Sequence, residues 1–561
     1  MSSRKRWSLA VPLVIGLIPL FFLCGISRAQ GVVEIPADAC VGLVLSGGGA
    51  RGLAHVGVIR VLESQGIRPA VITGTSMGSV IGALYASGRT ADEIERIARG
   101  MDWRQALSDA SPRSHQPYTF RELEAGMTTD LRMSITRRGI AFPRGVVEGQ
   151  HLYQLLGSLF EEHGRALSFS ELPIRFAAVA ADLETGDQVI LDQGDVATAV
   201  RASMSIPGAI APVERDGRML VDGGIANNMP VDVAREMGAD FIIAVDVTTP
   251  LRTRDELDSI FSVAGQITGL LVRRNTIEQG KGLHSGDVLI VPELQGYGSA
   301  AFDQADAIIE AGAAAAAADI LGAGHAVPAA GAGDGSVAET STAPVIGFVR
   351  VVNDSPVSDR VVRSLIRQPL GRPLDRVQLE DDIIRLYGLD YFSLVHYRIV
   401  DEGGSQGIEV ICIARSSGNN WLKLGLELAD DFKGSSEFGL SASLRSAGLN
   451  RYGGTAFWRA QLGTTPEAEF RFLQPLDSGL RYFIEPGLGY RASVFDVYLD
   501  DIQEQPLSRY RKSDRWAALS AGRLLWRERA EIRLGVIREW GSLDFRGGVD
   551  LDDLGADTSD Y

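Results

Sequence analysis

Only three cysteines occur in 561 residues, Cys24, Cys40 and Cys412, and they stand far apart. No disulfide framework is indicated, and Cys40 and Cys412 read as two isolated thiols in different segments. Cysteines, seven histidines and carboxylates nowhere cluster with the spacing of a metal site, so neither a metal nor an organic cofactor is expected. Basic residues are in deficit, and the formal charge is −16. That argues against nucleic acid as the partner, since a phosphate backbone attracts basic surfaces; it does not exclude a membrane. Long apolar runs are also missing. The longest, 9–24, falls short of the ~20 residues a spanning helix needs and is interrupted by Pro12 and Pro19. With Arg4, Lys5 and Arg6 before it and Ser27-Arg28-Ala29 after it, residues 1–29 read as a cleaved signal peptide of an exported protein. Cys24 follows Phe22-Leu23 rather than a small residue, which disfavours lipid attachment there.

What is present is enough apolar material for several folded units. The chain is 45% hydrophobic and 22% charged, and its length suits two to four domains. Four segments follow the targeting stretch. In 37–325 apolar strand-like runs (41–45, 71–73, 174–181, 188–191, 241–247) alternate with helical stretches (53–65, 77–86). This predicts an α/β domain with a largely parallel sheet covered by helices. Residues 326–344 are Ala, Gly, Ser, Thr and Pro and read as a flexible linker. Segment 345–415 carries a strand, two helices and two strands, a small α+β unit. From 417 to 561 the period becomes two: Leu422, Leu424, Leu426 and Leu428 alternate with Lys423, Gly425 and Glu427. Some eight or nine such strands are expected. Apolar-out, polar-in alternation over about ten residues predicts a transmembrane β-barrel rather than a soluble sandwich. The expected barrel is incomplete, since the acidic tail 551–561 does not read as a closing strand. It is expected to be truncated, with a barrel shared in a homo-oligomer as the alternative.

The chemistry lies in the first domain. Gly74-Thr75-Ser76-Met77-Gly78 is a G-x-S-x-G between a strand and a helix, where a strained turn exposes a serine hydroxyl. The stretch Gly47-Gly48-Gly49-Ala50-Arg51-Gly52 also follows a strand. Its amides can approach a reacting oxygen or cradle a phosphate. No Gly-Lys-Ser or Gly-Lys-Thr follows, which excludes a P-loop. Gly47, Gly49 and Gly52 match a dinucleotide spacing, but its acidic residue is absent around 71–73. Arg51 can meet a substrate phosphate or tie down its loop by a salt bridge. Asp222 follows Met219-Leu220-Val221 and precedes Gly223-Gly224. It reads as an ordinary turn aspartate or as a carboxylate at the sheet's C-terminal edge, where active sites gather. His55, His115, His151, His163, His284, His325 and His396 lack a recognisable catalytic setting.

The order of these three motifs, with Ala202-Ser203-Met204-Ser205-Ile206-Pro207-Gly208 and Asn228-Met229-Pro230-Val231, resembles the patatin-like phospholipases over about 41–292. The resemblance implies Ser76 as nucleophile and Asp222 as general base. It implies an oxyanion hole from the loop of Gly47, Gly48, Gly49, Arg51 and Gly52, and Gly74 and Gly78 as the glycines of the elbow. Glycerophospholipids are the implied substrates. The unit 345–415 resembles a POTRA domain, and the whole chain resembles outer-membrane patatin proteins related to type V secretion. Outer-membrane lipids are then partners, with the hydrolase on the periplasmic side or at the cell surface. The rival expectation is a translocation pore whose hydrolase domain is cargo. The polar stretch 112–144 is a candidate lid.

Overall fold

A computed structural model describes residues 35, 39–109, 133–136, 139–160, 168–321, 343–415, 418–430, 436–497, 506–525 and 530–549. The expected signal peptide, linker residues 326–342, the tail 551–561 and most of the candidate lid lie outside them.

Strands Val41–Leu45, Val71–Thr75 and Phe241–Val245 are buried at every residue. Strands apolar on both faces need cover on both, which places them in the middle of a sheet. The sheet runs Val288–Ile290, Phe241–Val245, Val41–Leu45, Val71–Thr75, Arg175–Asp182, Arg218–Asp222, Val213–Arg215. The first five are parallel. The last two, and Gln188–Leu191 beside Arg175–Asp182, run antiparallel to their neighbours. The expected parallel sheet is therefore a parallel centre with an antiparallel edge. Helices Ala54–Ser64, Met77–Ala86, Val196–Ser203 and Ala305–Ala316 contribute to its core through residues such as Ile59, Val80, Val200 and Ile309.

The second unit has strand Phe348–Asn353, helices Asp359–Leu365 and Arg376–Gly388, and the hairpin Phe392–Glu402/Ser405–Ala414. The first strand pairs parallel with the last, and Val362, Leu379, Leu386 and Val410 share a core.

The third unit is an antiparallel meander of seven strands, from Asn420–Asp430 to Ala530–Gly548. Eight or nine were expected. The last three strands contain 16, 18 and 19 residues, longer than the about ten a barrel strand needs, so the same length of chain makes fewer of them. Register carries the alternation across the sheet. Leu426 stands beside Leu440, and Leu440 beside Leu462. On the opposite face Ser443 stands beside Arg459, Arg459 beside Glu469, and Arg533 pairs with Glu485 at 2.9 Å. The apolar face is exposed, including Leu426, Leu440, Leu462, Leu488 and Leu534.

The three units are joined by specific contacts. Gln150 is fully buried. Its amide donates to the Val395 carbonyl at 2.6 Å and its oxygen accepts the Val395 N–H at 2.8 Å, so one side chain pairs with a strand as another backbone would. Arg415 bonds to Glu148 at 3.3 Å and Asp390 at 3.0 Å, and Asp390 also accepts from Arg445 at 3.3 Å. Strands Met133–Thr136 and Gly139–Ala141 form a hairpin within the candidate lid region. It extends the meander at its first strand, with Ser134 opposite Trp421 and Met133 opposite Leu422.

Candidate active site

Ser76 ends the strand Val71–Thr75 and caps the helix Met77–Ala86 with φ 53° and ψ −125°. That left-handed conformation is costly for a residue with a Cβ, and the surroundings hold it. The Ser76 N–H donates to Ser203 Oγ at 2.9 Å, and the Ser79 hydroxyl donates to the Ser76 carbonyl at 2.6 Å. The flanking glycines are required by space. A Cβ on Gly78 would lie 2.2 Å from the Leu45 carbonyl oxygen, and one on Gly74 would lie 2.5 Å from the Gly78 oxygen.

Asp222 reaches the same place from the opposite direction. Its strand is antiparallel to Arg175–Asp182, with Asp222 opposite Ala180. Val179 pairs with Thr75, so Asp222 arrives beside the C-terminal end of the strand that leads into Ser76. Its backbone N–H donates to the Ser205 carbonyl at 2.8 Å, and its Oδ1 accepts the Gly224 N–H at 2.8 Å. The carboxyl is buried, which pushes its pKa up to about 6; the nearby Ser76 hydroxyl and the Gly224 amide oppose that shift without cancelling it. A carboxylate raised toward neutrality beside a hydroxyl can take up that hydroxyl's proton.

The glycine loop closes the third side. A Cβ on Gly47 would lie 3.1 Å from the Ser76 Cβ and 2.6 Å from Asn228 Oδ1, so loop and elbow are in contact only because residue 47 has no side chain. The Gly47 N–H is taken by the Asn228 carbonyl at 3.2 Å, and the Ala50 N–H by the Ser299 carbonyl at 2.8 Å. Gly48 and Gly49 stand at the start of the turn Gly49–Leu53, where leading amides lack an intrahelical acceptor. Gly49 has φ +59°, a conformation suited to glycine. Gly52 packs on Met77, where a Cβ would meet Cγ at 2.5 Å.

Arg51 donates to the carbonyls of Val247 (3.0 Å), Leu294 (2.6 Å), Tyr297 (3.0 Å) and Thr248 (3.3 Å). Of the two expectations for it, the anchoring one matches this geometry, with carbonyls in place of a salt bridge. Among the described histidines none is hydrogen-bonded to Ser76 or Asp222. His55 binds the Ser46 carbonyl at 2.8 Å and is fully buried, which lowers its pKa to about 4 and keeps it neutral. His151 binds the Ser108 carbonyl at 2.6 Å, and His396 packs on Tyr153.

Sequence reading assigned no role to Ser203, Ser205 or Asn228. Ser203 and Ser205 hold the backbones of Ser76 and Asp222. The Asn228 amide spans Thr248 Oγ1 at 2.9 Å and Thr276 Oγ1 at 3.2 Å. Their signals were the Ser203-Met204-Ser205-Ile206-Pro207 run at the end of a short helix and Asn228-Met229-Pro230. A cavity of about 1270 Å³ lies elsewhere, between the units and lined by Tyr153, Arg201, His396 and Arg415.

Residues 43–235 match the family model described as patatin-like phospholipase. An uncharacterized NTE family protein of Mycobacterium tuberculosis is 35% identical over 207 residues, 37% of this chain and 49% of that protein. The human patatin-like phospholipase domain-containing protein 6 is 32% identical over 220 residues, 39% of this chain and 14% of that protein. The chain thus spans about half the length, or less, of these relatives. Among solved structures, VipD from Legionella pneumophila is similar over 52% of this chain and 70% of that one, with 16% identity and a TM-score of 0.30. The unit that carries Ser76 and Asp222 is thus a patatin-like phospholipase domain.

Proposed function

We propose that the protein is a lipid acyl hydrolase acting on glycerophospholipid esters through a Ser76–Asp222 dyad. The observation that carries this reading is the buried Asp222 carboxyl, its pKa raised, arriving beside a serine held in a strained elbow. Ser76 Oγ attacks the ester carbonyl carbon while Asp222 takes the hydroxyl proton. The glycine loop, whose Gly47 lies against Ser76, supplies the amides of the oxyanion hole in this reading. As the tetrahedral intermediate collapses, Asp222 returns the proton to the leaving alkoxide, and the lysolipid departs. Asp222 then takes a proton from water, whose oxygen attacks the acyl-enzyme, and returns it to Ser76 Oγ as the acyl–oxygen bond breaks and the fatty acid leaves. No step calls on a metal or an organic cofactor.

The same reading takes the unit 345–415 as a POTRA-like adaptor and the seven-stranded sheet as part of an outer-membrane barrel in an exported protein. The support is the continuous exposed apolar face backed by a charged one. Among the described residues no helix is long and apolar enough to cross a membrane; strands cross by other means. The pore-and-cargo alternative is weakened by Gln150 and Arg415, which bind the hydrolase into the rest of the chain.

Ser76→Ala and Asp222→Asn in the full chain, assayed on phospholipid vesicles, test the reading. Each is expected to lower kcat by at least about 10³-fold with the fold retained by circular dichroism. Unchanged hydrolysis in either variant would refute it.

A further inference from the structure

The helix Ile260–Gly280 is amphipathic in the reverse sense to a helix of a soluble domain. Several of its polar side chains face inward. Ser262 and Thr276 are buried, Asn275 bonds to the Gly224 carbonyl at 2.7 Å and the Asn228 N–H at 2.9 Å, and Gln279 accepts the Asp232 N–H at 3.1 Å. Its aliphatic side chains face outward. Ile260, Val263, Ile267, Leu270, Leu271 and Ile277 are 46% to 80% exposed, and at 3.6 residues per turn they fall within an arc of about 120°. A globular helix buries such a stripe; one left in water marks an interaction surface.

Position and chemistry identify the partner. The helix lies along the rim of the dyad: Val272 is 3.3 Å from where a Gly224 Cβ would stand, and the same point is 3.0 Å from Asp222 Oδ1. Ile206, directly after the Ser205 that holds Asp222, adds another exposed aliphatic group. The stripe contains no aromatic residue among its exposed members, whereas protein interfaces concentrate aromatics at their centres. Arg274 stands within the stripe and Arg273 at its border, both exposed, and the one exposed acid in the stripe, Glu278, is paired with Lys281. Long cationic side chains on an aliphatic face can keep their heads at a headgroup layer while the stems lie in the apolar zone.

We propose that the outer face of Ile260–Gly280 is a docking surface for a lipid bilayer bearing anionic headgroups, and that it seats the dyad on the membrane it hydrolyses. This rests on the lipid-hydrolase reading above, and its test has a readout independent of activity. The full chain carrying Ser76→Ala and Leu270→Cys is labelled with a fluorophore and mixed with phosphatidylcholine–phosphatidylglycerol vesicles whose acyl chains are brominated. A label at Asp216→Cys, in an exposed polar turn, is the control, and the chain without an added cysteine is the blank. The emission at 270 is expected to fall at least about twofold on contact with brominated chains, with none at 216. Arg273→Gln with Arg274→Gln is expected to raise the half-saturating lipid about tenfold on mixed vesicles and little on pure phosphatidylcholine. In the active enzyme, Ile267→Ser with Leu271→Ser is expected to lower vesicle hydrolysis at least about tenfold while a soluble short-chain ester is cleaved within about twofold of normal.

An unquenched label at 270 on vesicle-bound protein overturns the proposal. So does an emission change that follows protein concentration without vesicles, which would identify a second copy as the occupant. If quenching occurs but Ser76→Ala alone leaves hydrolysis intact, the docking surface stands and the dyad assignment falls.

Discussion

The hydroxyl of Ser203 accepts the backbone N–H of Ser76 at 2.9 Å and donates to the Val179 carbonyl at 2.6 Å. One fully buried serine thus ties the strained Ser76 peptide to the neighbouring strand. Two residues on, the Ser205 carbonyl accepts the Asp222 N–H, and the Ser205 hydroxyl is held by Arg201. The C-terminal end of one short helix therefore sets the separation of Ser76 and Asp222.

Ser203→Ala is expected to leave the Ser76 amide and the Val179 carbonyl unpaired in the interior. The cost should be about 1–3 kcal/mol of stability. Because the lost bond holds the backbone of Ser76, the proposed nucleophile, kcat should fall more than KM rises. Denaturant unfolding with steady-state kinetics on a soluble ester checks both. A stability loss with unchanged kcat would show that the strained conformation does not depend on Ser203.

The pH dependence follows from Asp222. With its pKa raised to about 6, kcat/KM should climb as pH rises through about 6 and level off above. The stability effect has the opposite slope. The folded state keeps this proton to a higher pH than the unfolded chain, so the contribution is complete below the unfolded pKa and is lost as pH rises through about 6. Asp222→Asn should accordingly be inactive, yet raise Tm relative to the parent at pH 8 and not at pH 4. Thermal melts at the two pH values decide it.

Gly78→Ala would drive a Cβ to within 2.2 Å of the Leu45 carbonyl oxygen, which is backbone and cannot swing aside. A loss of about 1–3 kcal/mol is expected, accompanied by loss of activity as the elbow shifts. Gly100→Ala, whose Cβ would meet nothing within 4 Å, is the matched control and should leave both nearly unchanged. Comparing the two midpoints in urea tests the steric account.

Gln150→Leu removes both bonds to Val395 while keeping the side chain's approximate bulk. It should cost about 1–3 kcal/mol through the stranded Val395 N–H and carbonyl. The loss should appear at the junction between the hydrolase and the small α+β unit, as faster hydrogen exchange at Val395 and faster proteolysis between the units. Activity on a soluble ester should persist, since Gln150 has no bond to Ser76, Asp222 or the glycine loop.

Much of the first unit was legible in residue order because its determinants are local. Buried strands announce themselves as continuous apolar runs, and the expected 41–45 and 77–86 coincide with Val41–Leu45 and Met77–Ala86. The meander was legible from its period, since Leu422 to Leu428 alternate whatever they pair with. Its strand number was not, because a turn is a weaker signal than an alternation and the last strands are long. Arg51 was ambiguous for a different reason: a guanidinium takes any oxygen, and its acceptors lie about 200 residues or more away in the chain.

Residue order alone thus established the kinds of element, the elbow that Ser76 occupies and the glycines beside it, because those follow from backbone sterics within a few residues. Tertiary structure decided that Asp222 meets Ser76 from an antiparallel strand, that Ser203 and Ser205 hold the pair, and that Ile260–Gly280 turns its aliphatic face outward. These depend on where distant segments come to rest and on which groups lose their water there, and neither a spacing nor a period in the chain encodes that.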